Sequence, residues 1–305
     1  MDGSPTGHMT ADPAPTPMSA GQRAMFAIAC IAAGFLPLSA GYVPGEVAWF
    51  VYGLVVTAAL LALALVARRS SAWRRYWEIP LVFFGMAVFI LADRYVPNFL
   101  VTHVLHQSTV SGNPLASTIS GTVVIELDEL LLTVIAVLVV LWISRSSLRS
   151  IYFRRGRVGR AYVIGIIGFV AFYVLTFRIL SHTHFMPVHG SIDFGRYLSL
   201  TPALLAAVAA NGFLEELMFR GLLMSKLNIA FGPYLSTFVQ AVIFASWHIG
   251  ITYTSSVLVF VIFVVFPLGL IAGYLTRSSG SIFPSSILHA GVDMPIYLGF
   301  LSYVS

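Results

Sequence analysis

Long, nearly continuous apolar runs dominate this chain, and short polar segments separate them. The runs fall at residues 24–43, 47–67, 79–96, 122–143, 161–180, 199–219, 234–252, 256–275 and 284–303. Each is close to the roughly 20 residues with which an α-helix crosses a bilayer. Strands of a membrane barrel would instead alternate apolar and polar residues over segments of about 10 residues. The pattern predicts an all-α, polytopic membrane protein with about eight or nine transmembrane helices.

The composition agrees with this architecture and excludes a water-soluble globular protein. The 305 residues are 58% hydrophobic and 10% charged, whereas soluble domains carry about 25% charged residues. The net charge of +5 would suit nucleic acid, but the arginines cluster in short loops, as is typical of the cytoplasmic loops of membrane proteins. We therefore expect a multi-pass protein of the cell membrane, with the lipid bilayer and no nucleic acid as its partner.

Composition and loop charge divide the chain further. Residues 1–22 are rich in Pro, Ala, Thr and Gly and predict a disordered tail rather than a cleaved signal. For residues 23–198 we expect transmembrane helices of uncertain role, and residues 199–305 contain the candidate catalytic residues. The two arginine-rich loops, 68–75 and 145–160, fall on one side when the runs are counted, and the positive-inside rule makes that side cytoplasmic.

The segment NGFLEELMFRG carries the strongest candidate chemistry. A charged group inside an apolar run costs at least about 2.5 kcal/mol, so ionisable residues there are functional candidates. Glu216 and Arg220 are four residues apart, a spacing that allows an ion pair on one helix face. Glu215 points about 100° away from Glu216 and is left to act on something else. The alternative is that both glutamates mark the membrane boundary near Arg220 and Lys226.

Two histidines in later runs complete a candidate site. Phe244 and His248 are four residues apart and share a helix face, although an isolated histidine is often a core residue bonded to a backbone carbonyl. His289 and Asp293 have the same spacing in the last run, which follows a Gly/Ser turn and Pro284. The second pair could be metal ligands, an oriented acid/base or an oxyanion-binding pair. Its structural alternative is a hydrogen bond between two buried polar groups.

Other polar residues carry weaker signals. Glu126, Asp128 and Glu129 stand near the start of a run, where an acidic first helical turn complements the helix dipole. A substrate-side or proton-relay role is the alternative for them. We expect no metal site among the loop histidines, which are His103, His106, His182, His184 and His189.

The three motifs, in this order, resemble those of the CPBP intramembrane proteases, which include the CAAX prenyl endopeptidases and the bacterial Abi proteins. The motifs cover about the last third of the chain, residues 199–303. The resemblance implies an intramembrane endopeptidase that acts on membrane-anchored proteins, including prenylated proteins of the CAAX type. The motif residues are EExxxR (Glu215, Glu216, Arg220), FxxxH (Phe244, His248) and HxxxN/D (His289, Asp293).

The resemblance also implies a role for each catalytic residue. Glu215 would activate a water for attack on a peptide carbonyl, and His248 would hold and polarise that water. His289 and residue 293 would stabilise the oxyanion. The better-studied CAAX endopeptidases carry Asn where this chain has Asp293, and an ionised carboxylate would repel an oxyanion. Either Asp293 is protonated, or it orients His289 by a hydrogen bond and leaves the oxyanion to that histidine.

The remaining motif residues, Glu216, Arg220 and Phe244, would be structural or positioning residues. The resemblance implies a reaction without a cofactor. A zinc-dependent variant with Glu215 and the two histidines His248 and His289 as ligands is the alternative, although the chain lacks the local histidine pair of the HExxH zinc proteases.

Two other classes of function stay open at this stage. One is a non-catalytic membrane scaffold or regulator of the same family, which would have no chemical need for an unpaired Glu215. The other is a proton- or ion-coupled transporter that uses Glu215, Glu126 and Asp293 as relay groups, although the sequence shows no inverted repeat.

Overall fold

The computed structural model of the chain describes residues 18–107, 118–178, 189–249 and 257–303, and these contain helices and turns but no strand. Short π-helical segments precede or continue several helices, at Leu100–Val104, Glu216–Leu223 and Val261–Val265. The helices are α1 (Ala20–Ser39), α2 (Glu46–Arg69), α3 (Glu78–Asp93), α4 (Val96–Phe99), α5 (Ile119–Ser144), α6 (Arg160–Arg178), α7 (Phe194–Glu215), α8 (Met224–Ser246), α9 (Val257–Phe260), α10 (Phe266–Ser279) and α11 (Phe283–Tyr303).

Six helices of the described part are long and apolar enough to cross a membrane. One of them is the 53-residue stretch Phe194–Ser246, which Gly232 interrupts with a φ of 70° and a ψ of −176°. Only glycine adopts this backbone region readily, so the chain turns between two helical pieces just before Pro233. The predicted all-α, polytopic membrane fold is confirmed. The number of crossings, eight or nine, stays a prediction.

The first helix begins earlier than the sequence predicts. Ser19 Oγ accepts a hydrogen bond from the Gln22 backbone N–H, and the Gln22 side chain accepts one from the Ser19 backbone N–H. This reciprocal capping box starts α1 at Ala20. The predicted disorder is therefore wrong for residues 20–22, and residues 1–17 lie outside the described residues.

Close helix packing brings the candidate residues of α7 and α11 together. α11 packs against both α6 and α7. A Cβ atom on Gly212 would lie 2.8 Å from the Ala290 backbone nitrogen, and one on Gly291 would lie 2.7 Å from the Phe169 Cα. Small residues at such contacts let membrane helices approach closely. The absence of a side chain at Gly212 therefore sets the distance between α7 and α11, and its absence at Gly291 sets the distance between α11 and α6.

Polar contacts join the loops that the sequence places on one side of the membrane. Lys226 forms an ion pair with Glu78 and donates a hydrogen bond to Ser146 Oγ at 2.8 Å. Arg154 Nε donates to the Gly280 carbonyl oxygen at 2.9 Å. Both arginine-rich loops and the turn before α11 thus lie at the same end of the helices, as counting the runs predicts. The assignment of that end to the cytoplasm stays a prediction.

Candidate active site

His289 lies between the two neighbouring glutamates at the end of α7. Its Nε2 is 3.2 Å from Glu215 Oε2, and its Nδ1 donates to Glu216 Oε1 at 2.9 Å. The His289 residue is 1% exposed and Glu216 is fully buried. Because each ring nitrogen faces a carboxylate, the arrangement suits an imidazolium, which donates from both nitrogens.

Glu216 holds a cation as well as the histidine. Arg220 Nη1 is 2.8 Å from Glu216 Oε1, and both side chains are fully buried. This is the ion pair that the four-residue spacing predicts. The guanidinium also lies over the Phe244 ring, with Cζ 4.1 Å from the ring centroid, where a cation is attracted to the π face. Removing one of the two charges would leave the other buried without its ion-pair partner.

His248 approaches Glu215 from beyond the end of α8. The sequence predicts this histidine within a helix, but α8 ends at Ser246 and His248 lies in the following turn. Its Nδ1 is 2.9 Å from the Phe244 carbonyl oxygen, so Nδ1–H donates there and Nε2 is the acceptor of the neutral ring. That Nε2 is 3.8 Å from Glu215 Oε1, which exceeds a direct hydrogen bond.

Phe244 contacts both imidazoles. Its ring centroid lies 4.8 Å from that of His248 and 5.6 Å from that of His289. The side chain is fully buried, and aromatic rings prefer such edge-to-face contacts. Phe244 therefore fixes the relative positions of the two histidines and of Arg220.

Asp293 is held by a residue that the sequence analysis misses. Asn211 Nδ2 donates to Asp293 Oδ2 at 2.9 Å. Asp293 Oδ1 is 3.6 Å from His289 Nε2, too far for a hydrogen bond. The structure therefore does not show the predicted hydrogen bond from His289 to Asp293: Glu216 accepts from Nδ1, and at Nε2 the nearer carboxylate is that of Glu215. Asn211 precedes Glu215 by four residues and so shares its helix face, and this spacing is the signal that could have identified it.

Five of these polar side chains line one cavity of about 180 Å³, which we call the site cavity. Glu216 and Arg220 stand behind it. A mostly apolar concavity with a few convergent polar groups is the usual form of a ligand site. The polar lining is Asn211, Glu215, His248, His289 and Asp293, and the remaining lining is Phe244, Phe260, Val264, Val265, Leu268, Val292, Ile296, Tyr297 and Phe300.

A further acidic residue, Glu126, reaches the site cavity indirectly, through Tyr297. The Tyr297 hydroxyl donates to Glu126 Oε2 at 2.8 Å, and Glu126 is 4% exposed. α5 begins at Ile119, seven residues before Glu126. The predicted position of Glu126 in a first helical turn at the membrane interface is therefore wrong, because the helix starts before the apolar run does.

No metal centre is apparent among the residues that the structure describes. Within them, no group of three or more His, Cys, Asp or Glu side chains is arranged to hold a metal ion. Glu215, His248 and His289 do not form such a group, and the zinc-dependent alternative stays a prediction. Among the loop histidines, His182 and His184 lie outside the described residues.

Residues 197–294 match the family model described as type II CAAX prenyl endopeptidase Rce1-like. The matched residues contain all three motifs and the Asn211–Asp293 pair. The resemblance to the CPBP and CAAX protease family is thereby confirmed, and the family is one of peptidases. No curated protein and no solved structure matches the chain.

Proposed function

We propose that this protein is an intramembrane endopeptidase that cleaves membrane-anchored proteins, with Glu215 as its general base. One observation carries the proposal: Glu215, His248 and His289, from three separate segments, converge on one cavity inside a helical membrane protein. The family match supports prenylated CAAX-type proteins as the substrate class.

The first step is the activation of a water between Glu215 and His248. Glu215 Oε1 and His248 Nε2 are both acceptors, and their 3.8 Å separation suits a water that donates one hydrogen to each. The lone pair of that water then points away from both groups and toward the site cavity. As its oxygen attacks the peptide carbonyl carbon, Glu215 takes the proton.

The second step needs stabilisation of the oxyanion that forms when the carbonyl π electrons move to oxygen. His289 supplies positive charge in a site from which water is largely excluded, where such charge is most effective. Glu216 holds the ring in place before the reaction, so no reorganisation is needed. When the tetrahedral intermediate collapses, the C–N bond breaks and Glu215 returns its proton to the leaving nitrogen.

The apolar part of the site cavity determines what can enter. Its walls come from α9, the following π-helical segment, α10 and α11. Apolar walls favour apolar side chains and strengthen the electrostatic interactions of the polar groups among them. A substrate whose scissile bond is flanked by aliphatic or aromatic residues fits this lining.

The decisive experiment maps new protein termini in membranes that express the wild type or Glu215→Gln at matched levels. Cleavage sites that depend on Glu215 establish proteolysis and name the substrates. Glu46→Gln is the matched control, because Glu46 is an exposed partner of Arg94 and does not line the site cavity. If no Glu215-dependent terminus appears while Glu215→Gln retains the phenotype of the wild type, the endopeptidase proposal is wrong and a scaffold function replaces it.

A further inference from the structure

The site cavity contains a carboxylate where the family motif has an amide. Asp293 occupies the position at which the better-studied CAAX endopeptidases carry Asn. The Asn211 amide donates a hydrogen bond to this carboxyl group, and His289 Nε2 lies 3.6 Å from it; both contacts favour its ionised form over a protonated one. An ionised carboxylate has no hydrogen to donate, and its charge opposes that of an oxyanion. The position therefore cannot perform, as a carboxylate, the donor role that the resemblance assigns to it.

Helix geometry places another amide directly opposite this carboxylate. Glu215 of α7 meets His289 of α11, and Asn211 of α7 meets Asp293 of α11. The residue with the higher number on α7 meets the residue with the lower number on α11, so the two helices run antiparallel here. Asn211 thus lies one helical turn from Glu215, at a separation of about 5–6 Å between Cβ atoms.

Asn211 has a second amide hydrogen that Asp293 does not accept. The Nδ2 group carries two hydrogens, and one of them goes to Asp293 Oδ2 at 2.9 Å. A carboxylate acceptor identifies the group that faces it as the amide nitrogen rather than the amide oxygen. Because Asn211 also lines the site cavity, its second hydrogen is available to a group bound there.

We propose that Asn211 is a catalytic residue that donates its second Nδ2 hydrogen to the oxyanion, and that Asp293 is the positioning residue that fixes this amide. In this protein the hydrogen-bond donor comes from residue 211 of α7, whereas the family motif places it at residue 293 of α11. The inference rests on the proposed endopeptidase function. No atom is transferred in this role, and the hydrogen bond strengthens as negative charge develops on the carbonyl oxygen.

The test measures cleavage of a peptide that spans a Glu215-dependent site, with the purified full-length protein in liposomes. Asn211→Leu is nearly isosteric and removes the donor. It should lower kcat by about 10²- to 10³-fold with a much smaller change in KM, as for the loss of other oxyanion donors. Asn228→Ala is the control, since the Asn228 amide oxygen accepts from Arg277 and the residue does not line the site cavity.

Two further measurements separate catalysis from a structural role. A peptide aldehyde of the same sequence forms a hydrate that resembles the tetrahedral intermediate, and Asn211→Leu should weaken its binding by the factor that it removes from kcat/KM. Asn211→Asp should abolish activity, because two carboxylates then face each other. The exchange variant Asn211→Asp/Asp293→Asn should recover kcat to within about tenfold of the wild type, since it restores one amide and one carboxylate.

Each outcome decides one question. Glu215-dependent cleavage with a kcat for Asn211→Leu within about threefold of the wild type overturns the role of Asn211 alone. Loss of kcat without weaker aldehyde binding also overturns it. If Asn211→Leu fails to accumulate in membranes, an exchange variant that folds and stays inactive has the same consequence. Absence of any Glu215-dependent cleavage overturns both this inference and the endopeptidase function.

Discussion

The Nδ1 atom of His289 and the Oε1 atom of Glu216 are 2.9 Å apart, so the second glutamate of the EExxxR motif holds the histidine of the last motif. The same Oε1 atom lies 2.8 Å from Arg220. Glu216 Oε1 thus accepts a hydrogen bond from His289 and forms an ion pair with Arg220, and it couples the stability of the helix bundle to the orientation of a candidate catalytic group.

Replacement of Glu216 by Ala should destabilise the protein strongly. It leaves the fully buried Arg220 without its carboxylate, and removing one partner of a buried ion pair costs about 3–5 kcal/mol. Thermal unfolding of the purified protein measures the effect. The control is Glu46→Ala, whose exposed pair with Arg94 should contribute less than about 1 kcal/mol.

The double variant Glu216→Leu/Arg220→Met separates stability from activity. Replacement of a buried ion pair by apolar side chains is often neutral or stabilising, so the unfolding free energy should recover most of the Glu216→Ala loss, short of the wild type by about 1–3 kcal/mol for the buried His289 N–H left without an acceptor. Cleavage should stay low, because His289 Nδ1 has lost its acceptor. Recovery of both properties together would contradict the positioning role of Glu216.

Gly212→Ala should separate the helices that form the site. The added Cβ would lie 2.8 Å from the Ala290 backbone nitrogen and 3.1 Å from the Ala290 Cα. Backbone atoms of a packed helix cannot rotate out of the way as a flexible side chain can. We expect a loss of about 1–3 kcal/mol in unfolding free energy, typical of overpacking, and a larger proportional loss of cleavage.

The matched control for Gly212 is Gly21→Ala in α1, where nothing lies within 4 Å of the added Cβ. That variant should be neutral or slightly stabilising, because alanine is the better helix former by about 0.5–1 kcal/mol. Equal effects of the two substitutions on thermal unfolding would rule out the close approach of α7 and α11 as the cause.

Tyr297→Phe should destabilise the protein by about 1–3 kcal/mol, because the buried Glu126 carboxylate loses its hydroxyl donor. Glu126→Gln should cost less, since the amide oxygen can still accept from Tyr297. Tyr274→Phe is the control on an exposed ring. The unfolding free energies of all three variants check this order of destabilisation. A loss for Glu126→Gln as large as that for Tyr297→Phe would contradict it.

Metal chelation should leave cleavage unchanged. The described His, Cys, Asp and Glu residues form no group arranged for a metal ion, and both nitrogens of His289 already face carboxylates. Activity before and after dialysis against EDTA, with the zinc content measured by mass spectrometry, checks this. Loss of cleavage that added Zn²⁺ restores would establish the zinc-dependent alternative.

The sequence predicts most of the fold and the motif residues of the site for simple physical reasons. Continuous apolar runs identify membrane helices because a segment that crosses the bilayer has to be apolar over its whole length. Charged residues such as Glu216 and Arg220 are rare in these runs and are therefore easily recognised as candidates. The Ser19 capping box is a local signal of the same kind, which the prediction of a disordered tail misses. Each of these signals lies within a single segment of the chain.

What the sequence does not predict depends on contacts between distant segments. Asn211 carries no charge, so a search for ionisable residues in apolar runs does not select it; its spacing to Glu215 places it on the same helix face, but only the contact with Asp293 of α11 gives it a partner. The bond from His289 to Glu216, like that from Tyr297 to Glu126, joins residues far apart in the chain. Spacing along one helix cannot reveal which carboxylate a histidine on another helix will select.

The bond from Arg154 to Gly280 and the contact of Gly291 with Phe169 bear on which piece of the chain can be studied alone. A fragment that began at residue 199 would contain every motif, yet it would expose the face of α11 that α6 covers and leave the turn before α11 unanchored. A minimal fragment for expression should therefore begin before Arg154. The residues that pack against and anchor α11, rather than the position of the first motif, determine where such a fragment has to begin.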